Sequence, residues 1–310
     1  MKILIAGGAG FIGTNLSIDL VSEGHEVVIL DNFSSSPMEK ISSLEILKKT
    51  KILEEDICKS NFESCDVFIN LACPASPPRY QYDPLGTLEA CYTGTKNILN
   101  FCLSNKIKLI HASTSEIYGD PKEHPQKEDY FGNVNSFGPR SCYDEGKRVS
   151  ETLCYEYKKL GLDVNVIRIF NTYGPFMDYD DGRVISNFIN QAIKNKEITI
   201  YGDGQQTRSF CYIDDLISGI KKIIFSNKNL EMPINFGNPD EYEIREIANM
   251  VISITRSNSK IKYLDLPIND PLKRKPCIEN AKNFFSWQPE VTICEGLNET
   301  IKYFKGINET

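Results

Sequence analysis

The chain has 310 residues, enough for one large domain or two closely joined ones. Hydrophobic residues make up 41% of it and charged residues 25%, which is typical of a globular protein with a sizeable core. The formal net charge of −7 argues against broad contact with nucleic acid or an anionic membrane, because either partner favours a basic face.

Cysteine usage and the start of the chain favour a cytoplasmic protein. The ten cysteines are irregularly spaced and form no C-x-x-C pair, so Cys73, Cys102 and Cys154 are interpreted as small buried hydrophobes. The three histidines are scattered, and no metal site is predicted. No positively charged leader precedes the first strand pattern, and no apolar run reaches the roughly 18 residues that a membrane span needs.

Short apolar runs alternate with amphipathic stretches in the first half of the chain. Strands are predicted at Lys2–Ala6, Glu26–Leu30, Ile52–Glu54, Val67–Leu71, Lys108–Ala112 and Val164–Phe170. Helices are predicted at Ile12–Glu23, Leu88–Asn105 and Tyr143–Leu160. Strands separated by helices imply right-handed βαβ crossovers. We therefore predict an α/β fold with a doubly wound parallel sheet of the Rossmann type.

The pattern loosens after Asn171. Elements predicted there are a helix at Ile185–Lys194, strands at Ile198–Tyr201 and Pro233–Gly237, a helix at Ile244–Thr255 and an irregular charged stretch at 267–276. We predict that residues 1–170 form a nucleotide-binding core to which 209–230 return. Residues 171–208 and 231–310 would form a smaller substrate-binding portion that covers the open edge of the core.

A glycine-rich turn joins the first predicted strand to the first helix. Gly7 permits a tight turn, Gly10 lets the backbone approach a pyrophosphate, and Gly13 allows close packing of the helix on the strand. Free N–H groups and the dipole at the helix N-terminus would then stabilise the pyrophosphate. Asp31 ends the second strand, where a carboxylate can accept hydrogen bonds from both ribose hydroxyls and repel a 2′-phosphate. This favours NAD over NADP, and the alternative role of Asp31 is that of a turn residue.

Further contacts to the cofactor are predicted beside the turn and at the strand ends. The residues concerned are Phe11, Ile12, Asn32, Asp56, Ile57 and Leu71. Asp56 and Ile57 follow the third strand, where they would bracket the adenine, with the carboxylate accepting a hydrogen bond from its amino group.

Tyr143 and Lys147 are four residues apart, which places both on one face of a helix. A phenol has an ordinary pKa of about 10, and an adjacent ammonium together with a positive nicotinamide ring would lower it. Tyr143 would then remove a hydroxyl proton while the same carbon gives a hydride to NAD. A surface helix is the alternative interpretation. The segment 113–116 favours catalysis, because it ends a strand at the carboxyl edge of the sheet, where such folds bind ligands.

The sequence resembles the extended short-chain dehydrogenase/reductase superfamily over its whole length, and within it the UDP-glucuronic acid decarboxylases, or UDP-xylose synthases. The segments that carry the resemblance are Gly7–Gly13, Pro74–Pro78, Ser113–Pro121, Cys142–Arg148, Arg168–Pro175, Asp181–Val184, Gln206–Arg208 and Lys273–Pro276. The resemblance implies a UDP-sugar substrate, bound NAD and a homodimer. The helices at Tyr143–Leu160 and Leu88–Asn105 would pair across its two-fold axis.

The resemblance also implies a mechanism. Tyr143 would take the proton of the sugar C4 hydroxyl as NAD takes the C4 hydride, while Lys147 holds the ribose hydroxyls. The resulting 4-ketone is β to the C6 carboxylate, so carbon dioxide can leave before hydride returns to C4. Thr114 and Ser115 would hydrogen-bond the C4 oxygen. The positions that handle the carboxylate are Glu116 and Arg274, and Glu116 would either favour expulsion of carbon dioxide by repulsion or act as a proton donor.

Other positions match those that hold the nucleotide and the sugar in that family. They are Tyr80, Asn171, Arg183, Val184, Tyr201, Arg208 and Arg274. Arg208 would neutralise the diphosphate, and Tyr80 would line the sugar pocket or serve packing. An internal salt bridge is the alternative role of Glu116, and a solvated surface charge is that of Arg274.

Two departures from the family pattern leave the sugar open. Gly86 replaces a lysine, and Cys91 replaces an asparagine, so a variant substrate such as UDP-N-acetylglucosaminuronic acid is an alternative that a roomier pocket at Gly86 would admit. A nucleotide-hexose 4,6-dehydratase is disfavoured because Ser115 stands where an acidic residue is expected. A 4-epimerase is disfavoured because it needs no residues that hold a carboxylate, which is the role expected of Glu116 and Arg274. A non-catalytic NAD sensor has no need of both Tyr143 and Lys147.

Overall fold

The computed structural model describes residues 1–42, 44–48, 50–265 and 273–309. The strands are β1 (Lys2–Ala6), β2 (Glu26–Asp31), β3 (Lys51–Glu54), β4 (Val67–Asn70), β5 (Lys108–Thr114), β6 (Val164–Ile169), β7 (Thr172–Tyr173), β8 (Ile198–Tyr201), β9 (Thr207–Ser209), β10 (Cys211–Tyr212), β11 (Ile234–Phe236), β12 (Glu241–Glu243), β13 (Ile261–Leu264) and β14 (Lys273–Arg274).

The helices alternate with these strands. They are α1 (Phe11–Ser22), α2 (Met38–Ser42), α3 (Pro77–Tyr82), α4 (Pro84–Glu89), α5 (Thr95–Asn105), α6 (Ser141–Lys159), α7 (Val184–Ile193), α8 (Ile213–Ile224), α9 (Ile244–Thr255), α10 (Glu279–Phe285) and α11 (Ile293–Glu309). Two 3-10 turns lie at Glu45–Leu47 and Ser115–Tyr118, and a π-helical turn at Ala90–Gly94 joins α4 to α5.

Seven strands form a parallel sheet in the order β11-β6-β5-β4-β1-β2-β3. The chain builds outward from β1 to β3, then returns to the other side of β1 with β4. The direction in which successive strands are added reverses between β1 and β4, and this reversal opens a crevice at the carboxyl ends of the strands. The fold class predicted from the sequence is therefore confirmed.

The sheet is buried on both faces, since successive side chains of a strand point to opposite sides. Ile3 and Ile5 of β1 belong to a core shared with α1, α7, α8, α9 and α11. Leu4 and Ala6 belong to a second core, which α5 and α6 close on the other face. A seven-stranded sheet covered in this way gives the crevice rigid walls.

Small sheets from the second half of the chain stand over this crevice. β7 pairs with β10, β8 pairs with β13, and β9 lies between β12 and β14. The register of β9 and β14 sets Arg208 opposite Arg274. Two arginines distant in sequence thus reach the same side of the crevice.

The predicted elements of the first half agree with the structure within a few residues, with one exception. The helix predicted at Leu88–Asn105 is divided among α4, the π-helical turn and α5. α8, α10 and α11 have no counterpart among the predicted elements. β11 pairs with β6 at the edge of the large sheet, although its residues were assigned to the smaller portion. Residues 267–272 of the stretch expected to be irregular lie outside the described residues, and the rest of the proposed division into two portions stays a prediction.

Candidate active site

The glycine-rich turn is closed by backbone contacts that leave no room for side chains. Gly7 has φ +77°, and its N–H donates to the Leu30 carbonyl at 2.8 Å. A Cβ at Gly13 would lie 2.3 Å from the Gly7 carbonyl oxygen. Gly10 stands at the start of α1 with extended backbone. The turn therefore presents backbone N–H groups at a helix N-terminus, as a pyrophosphate requires.

Asp31 is tied to this turn. One carboxylate oxygen accepts from the Ala9 N–H at 3.0 Å, and the other accepts from the Phe33 N–H at 2.9 Å. The side chain thus stands at the end of β2 in an orientation fixed by two backbone donors.

A cavity of about 190 Å³ runs from the glycine-rich turn to the end of β5. Predicted cofactor residues that line it are Gly7, Gly10, Phe11, Ile12, Gly13, Leu71, Tyr143 and Lys147. Those outside its lining are Asp31, Asn32, Asp56 and Ile57, which lie at and beyond the ends of β2 and β3. Ile57 is buried, and its contact with the adenine stays a prediction.

Tyr143 and Lys147 lie on the buried face of α6, as their spacing predicts. The Lys147 ammonium donates to the Ala112 carbonyl at 3.0 Å. The Thr114 side chain lies near the Tyr143 phenol and acts to lower its pKa. The Thr114 hydroxyl oxygen accepts from the Glu116 N–H at 3.2 Å and so caps the 3-10 turn that follows β5. Helix α6 and strand β5 thus hold the tyrosine, lysine and threonine at one point of the crevice.

The surroundings of Tyr143 in the folded chain act mainly to raise its pKa. Burial raises the pKa of Tyr143 well above its ordinary value, and the nearby Cys73 and Glu116 act in the same direction. The Thr114 side chain acts in the opposite direction. The lowering of this pKa was expected from Lys147 together with a bound nicotinamide ring, so it stays a prediction for the NAD-bound chain.

Glu116 is held by two arginines. It forms ion pairs with Arg140 and, at 3.3 Å, with Arg274, whose other guanidinium nitrogen donates to the Ser115 carbonyl at 2.9 Å. Burial alone would raise the pKa of Glu116, but the charges of Arg274, Arg140 and Arg208 hold it below the ordinary value. Arg274 is only 1% exposed, so the interpretation of a solvated surface charge is wrong.

A second cavity of about 600 Å³ adjoins the first and shares Tyr143 and Glu116 with it. All the predicted substrate residues line this cavity: Tyr80, Asn171, Arg183, Val184, Tyr201, Arg208 and Arg274. The Tyr80 ring is stacked on that of Tyr143 at 5.0 Å with 6° between the planes. Arg183 is paired with Asp181. An elongated ligand with a reacting group at Tyr143 fits this arrangement.

A comparison with known families matches residues 3–237 to the NAD dependent epimerase/dehydratase family. The chain belongs to this family. UDP-glucuronic acid decarboxylase 1 of Danio rerio is 45% identical over 98% of this chain and 72% of its own length. UDP-glucuronic acid decarboxylase 6 of Arabidopsis thaliana is 42% identical over 96% of this chain and 87% of its own length.

Solved structures of family members share the whole fold. A UDP-glucuronic acid 4-epimerase from Bacillus cereus, in complex with UDP-glucuronic acid and NAD, has a TM-score of 0.90 at 30% identity. The match covers 99% of this chain and all of the epimerase. A UDP-glucose 4-epimerase from Thermotoga maritima with UDP-glucose has a TM-score of 0.90 at 25% identity, covering 99% of this chain and 100% of its own.

Sequence reasoning missed several residues that line the two cavities. Arg140 precedes Tyr143 by three residues and lines the larger cavity, so its position one turn before the tyrosine was a usable signal. Ser35 and Ser36 line the cofactor cavity from the loop after β2, and that loop has no pattern that predicts them.

The expectation of a roomier pocket at Gly86 is wrong. Gly86 lines neither of the two cavities. It lies in the first turn of α4, where its N–H donates to Asp83, and a Cβ there would meet the Asp83 carboxylate at 2.2 Å. Its departure from the family pattern therefore gives the variant sugar no added space.

Neither a metal centre nor a membrane span is found in the described parts of the chain. No three histidine, cysteine or acidic side chains there are grouped to hold a metal ion. Among the described helices, none has the length and apolarity that crossing a membrane requires.

The raised pKa of Asp144 predicts that the stability of the folded chain depends on pH. Burial raises its pKa to about 7, the charge of Glu116 adds to the shift, and Arg140 opposes it. The folded chain therefore binds this proton more tightly than the unfolded chain does, so stability is lost as the pH rises from about 4 to about 7. We expect Asp144→Asn to remove that loss, as measured by urea unfolding at several pH values. A stability difference between the two proteins that is constant across this range would contradict the assignment.

Proposed function

We propose that the chain decarboxylates UDP-glucuronic acid to UDP-xylose and carbon dioxide, with NAD as its bound cofactor. The observation that carries this proposal is the buried pair of Arg274 and Glu116 beside Tyr143, at the junction of the two cavities. A guanidinium there suits a C6 carboxylate, and a sugar without that charge has no use for it. Curated relatives at 40–45% identity named UDP-glucuronic acid decarboxylase support the same activity.

The cofactor residues fit NAD. The turn from Gly7 to Gly13 leaves a cradle that a Cβ would fill, and Asp31 at the end of β2 suits ribose hydroxyls and would repel a 2′-phosphate. Lys147 would hold the second ribose, next to Tyr143. When bound, NAD supplies the reversible acceptance of a hydride from the sugar.

Gly13→Ala tests this cradle. The added methyl group would lie 2.6 Å from the Gly8 Cα as well as against the Gly7 carbonyl, so we expect a loss of about 1–3 kcal/mol in unfolding free energy and loss of copurified NAD. The matched control is Gly306→Ala in α11, where an added Cβ meets nothing within 4 Å. Urea unfolding and NAD content measure both effects. If the two variants had the same unfolding free energy and the same NAD content, the role of Gly13 in the NAD cradle would be contradicted.

Each side chain near Tyr143 has its own role in the proposed reaction. Tyr143 takes the C4 hydroxyl proton, and the nearby Thr114 side chain favours the phenolate by lowering the pKa of Tyr143. Arg274 orients the carboxylate. Glu116 stays ionised because its pKa is lowered, so we assign it a repulsive role toward the substrate carboxylate, which favours departure of neutral carbon dioxide, and not the role of a proton donor.

Arg208 and Arg183 would bind the diphosphate. Arg208 is nearly buried and faces the cavity that also receives Arg274. Asn171, Val184 and Tyr201 line the same cavity and would contact the nucleotide. Tyr80, stacked on Tyr143, would place the sugar ring over the phenol.

A comparison of three substrates tests the proposal. The NAD-loaded protein is incubated in parallel with UDP-glucuronic acid, UDP-N-acetylglucosaminuronic acid and UDP-glucose, and the nucleotide products are identified by mass spectrometry and proton NMR. We expect a UDP-pentose from UDP-glucuronic acid alone. A product of unchanged mass but altered sugar stereochemistry would indicate a 4-epimerase instead, and binding of NAD without turnover of any of these sugars would favour a non-catalytic sensor.

We also propose a homodimer in the cytoplasm. Apolar side chains are exposed on neighbouring helices that the family resemblance assigns to a dimer: Leu88, Tyr92, Val149 and Tyr155. Such a group of exposed apolar residues is typical of an interface. Light scattering at micromolar concentration should give twice the chain mass, and a single chain mass would contradict the dimer.

A further inference from the structure

Two cysteines lie side by side behind the proposed catalytic tyrosine. Their sulfur atoms are 3.5 Å apart. Cys73 follows β4 and lines the cofactor cavity, whereas Cys91 is buried in the π-helical turn between α4 and α5. We propose that Cys73 and Cys91 form a redox-active dithiol, which a peroxide converts into a disulfide that displaces the wall of the cofactor cavity and slows turnover.

The position of Cys73 differs from the sequence interpretation. Cys102 and Cys154 are buried among apolar residues, as expected of structural thiols. Cys73 is half-buried and belongs to a cavity wall with Lys147 and Tyr143. All ten cysteines are free thiols.

The geometry permits a bond between the two sulfurs. A disulfide needs a separation of about 2.0 Å, so the sulfurs must approach by roughly 1.5 Å. Cys73 lies in the loop between β4 and α3, which can shift more easily than a strand or helix. Gly146 of α6 makes room on the other side, since a Cβ there would lie 3.0 Å from the Cys91 sulfur.

The two thiols differ in reactivity. The hydrogen bond with Cys91 lowers the pKa of Cys73, and the charge of Lys147 acts in the same direction against burial. The hydrogen bond with Cys73 and burial raise the pKa of Cys91. Because Cys73 lines the cavity and Cys91 is buried behind it, we assign Cys73 as the thiolate that attacks and Cys91 as the thiol that resolves the product.

The oxidation proceeds in two balanced steps. The Cys73 thiolate attacks one oxygen of hydrogen peroxide, the O–O bond breaks, and the released hydroxide takes a proton to form water. Cys73 is then a sulfenic acid. The Cys91 sulfur attacks the Cys73 sulfur, the S–O bond breaks, and the second oxygen leaves as water with the Cys91 proton. Two thiols and one peroxide thus give one disulfide and two waters, and a dithiol reductant reverses the reaction by exchange.

Peptide mapping of the NAD-bound protein tests the proposal. After treatment with hydrogen peroxide and blocking of free thiols, trypsin releases peptides 60–79 with Cys65 and Cys73, 80–96 with Cys91, and 141–147 with Cys142. We expect a cross-link between the first two peptides, which fragment ions assign to Cys73 and which dithiothreitol removes. A link through Cys65 or Cys142, or no link, would overturn the proposal. This map does not depend on the proposed function.

Turnover is the second readout, and it rests on the proposed decarboxylation. Because a displacement of about 1 Å near reacting groups can cost about 100-fold in rate, we expect the peroxide to lower turnover at least 10-fold, with recovery in dithiothreitol. Cys91→Ser should prevent the cross-link, and Cys294→Ser, which alters an exposed cysteine of α11, should leave both effects intact. A cross-linked protein with unchanged turnover would overturn the proposal that the disulfide slows turnover. If Cys91→Ser does not fold, the map of the unaltered chain still decides the chemistry.

Discussion

Replacing Tyr143 with phenylalanine should lower turnover of UDP-glucuronic acid by about 1,000-fold or more while leaving NAD bound. The phenol oxygen is the group that takes the C4 hydroxyl proton, and general acid–base catalysis of this kind contributes about 10²–10⁴-fold. The ring itself stays, so its stacking on Tyr80 at 5.0 Å is preserved. The measurement is kcat by product formation, together with the NAD content and thermal unfolding of the variant.

Tyr82→Phe is the matched control for this substitution. Tyr82 is 91% exposed at the end of α3 and belongs to neither cavity, so removal of its hydroxyl should leave turnover unchanged. A Tyr143→Phe variant that folds, binds NAD and retains more than a tenth of the original turnover would contradict the assignment of the base. A variant that loses its fold would assign Tyr143 a structural role instead.

Replacing Arg274 with glutamine should lower kcat/KM for UDP-glucuronic acid by about 100-fold or more. Its fork donates to the Ser115 carbonyl and to Glu116, which orients both beside Tyr143. Loss of one positioned charge at a reacting centre typically costs about 10²–10³-fold. Binding of UDP itself should change little, because UDP lacks the C6 carboxylate. The measurements are steady-state kinetics with the sugar nucleotide and calorimetric titration with UDP.

Stability must be separated from chemistry in this second experiment. Removing one partner of a buried ion pair can cost about 3–5 kcal/mol, although Arg140 stays with Glu116 here. Arg274→Lys keeps the positive charge without the fork and should recover part of the activity. The exposed neighbour Lys273 offers a control as Lys273→Gln, with unchanged kinetics. If Arg274→Gln folds and keeps its kcat/KM, Arg274 does not hold the carboxylate.

The sequence predicts the sheet well because its signal is local. Apolar runs such as Val67–Asn70 are readable from a few neighbouring residues, and the strands separated by helices determine a parallel order. The division of the helix predicted at Leu88–Asn105 is not readable in this way. Gly94 packs against Ile57 in a place where a Cβ would lie 2.4 Å away, so a contact distant in sequence accompanies the π-helical turn.

The site was predictable where a motif lies on one element. Tyr143 and Lys147 share a face of α6 because of their spacing, and Gly7 and Gly13 lie within one turn. Arg274 and Glu116 are 158 residues apart in the sequence. Their pairing depends on β14 lying beside β9. The effects of burial and of neighbouring negative groups on the pKa of Tyr143 could not be derived from the motif, because they are properties of the folded crevice.

The most direct test follows the C6 carbon of the substrate. The NAD-loaded protein is given UDP-glucuronic acid labelled with ¹³C at C6, and labelled carbon dioxide is measured by mass spectrometry alongside the remaining nucleotide sugar. The account predicts release of labelled carbon dioxide in step with formation of an unlabelled UDP-pentose. Turnover that retains the label in the sugar nucleotide would contradict decarboxylation as the function of this site.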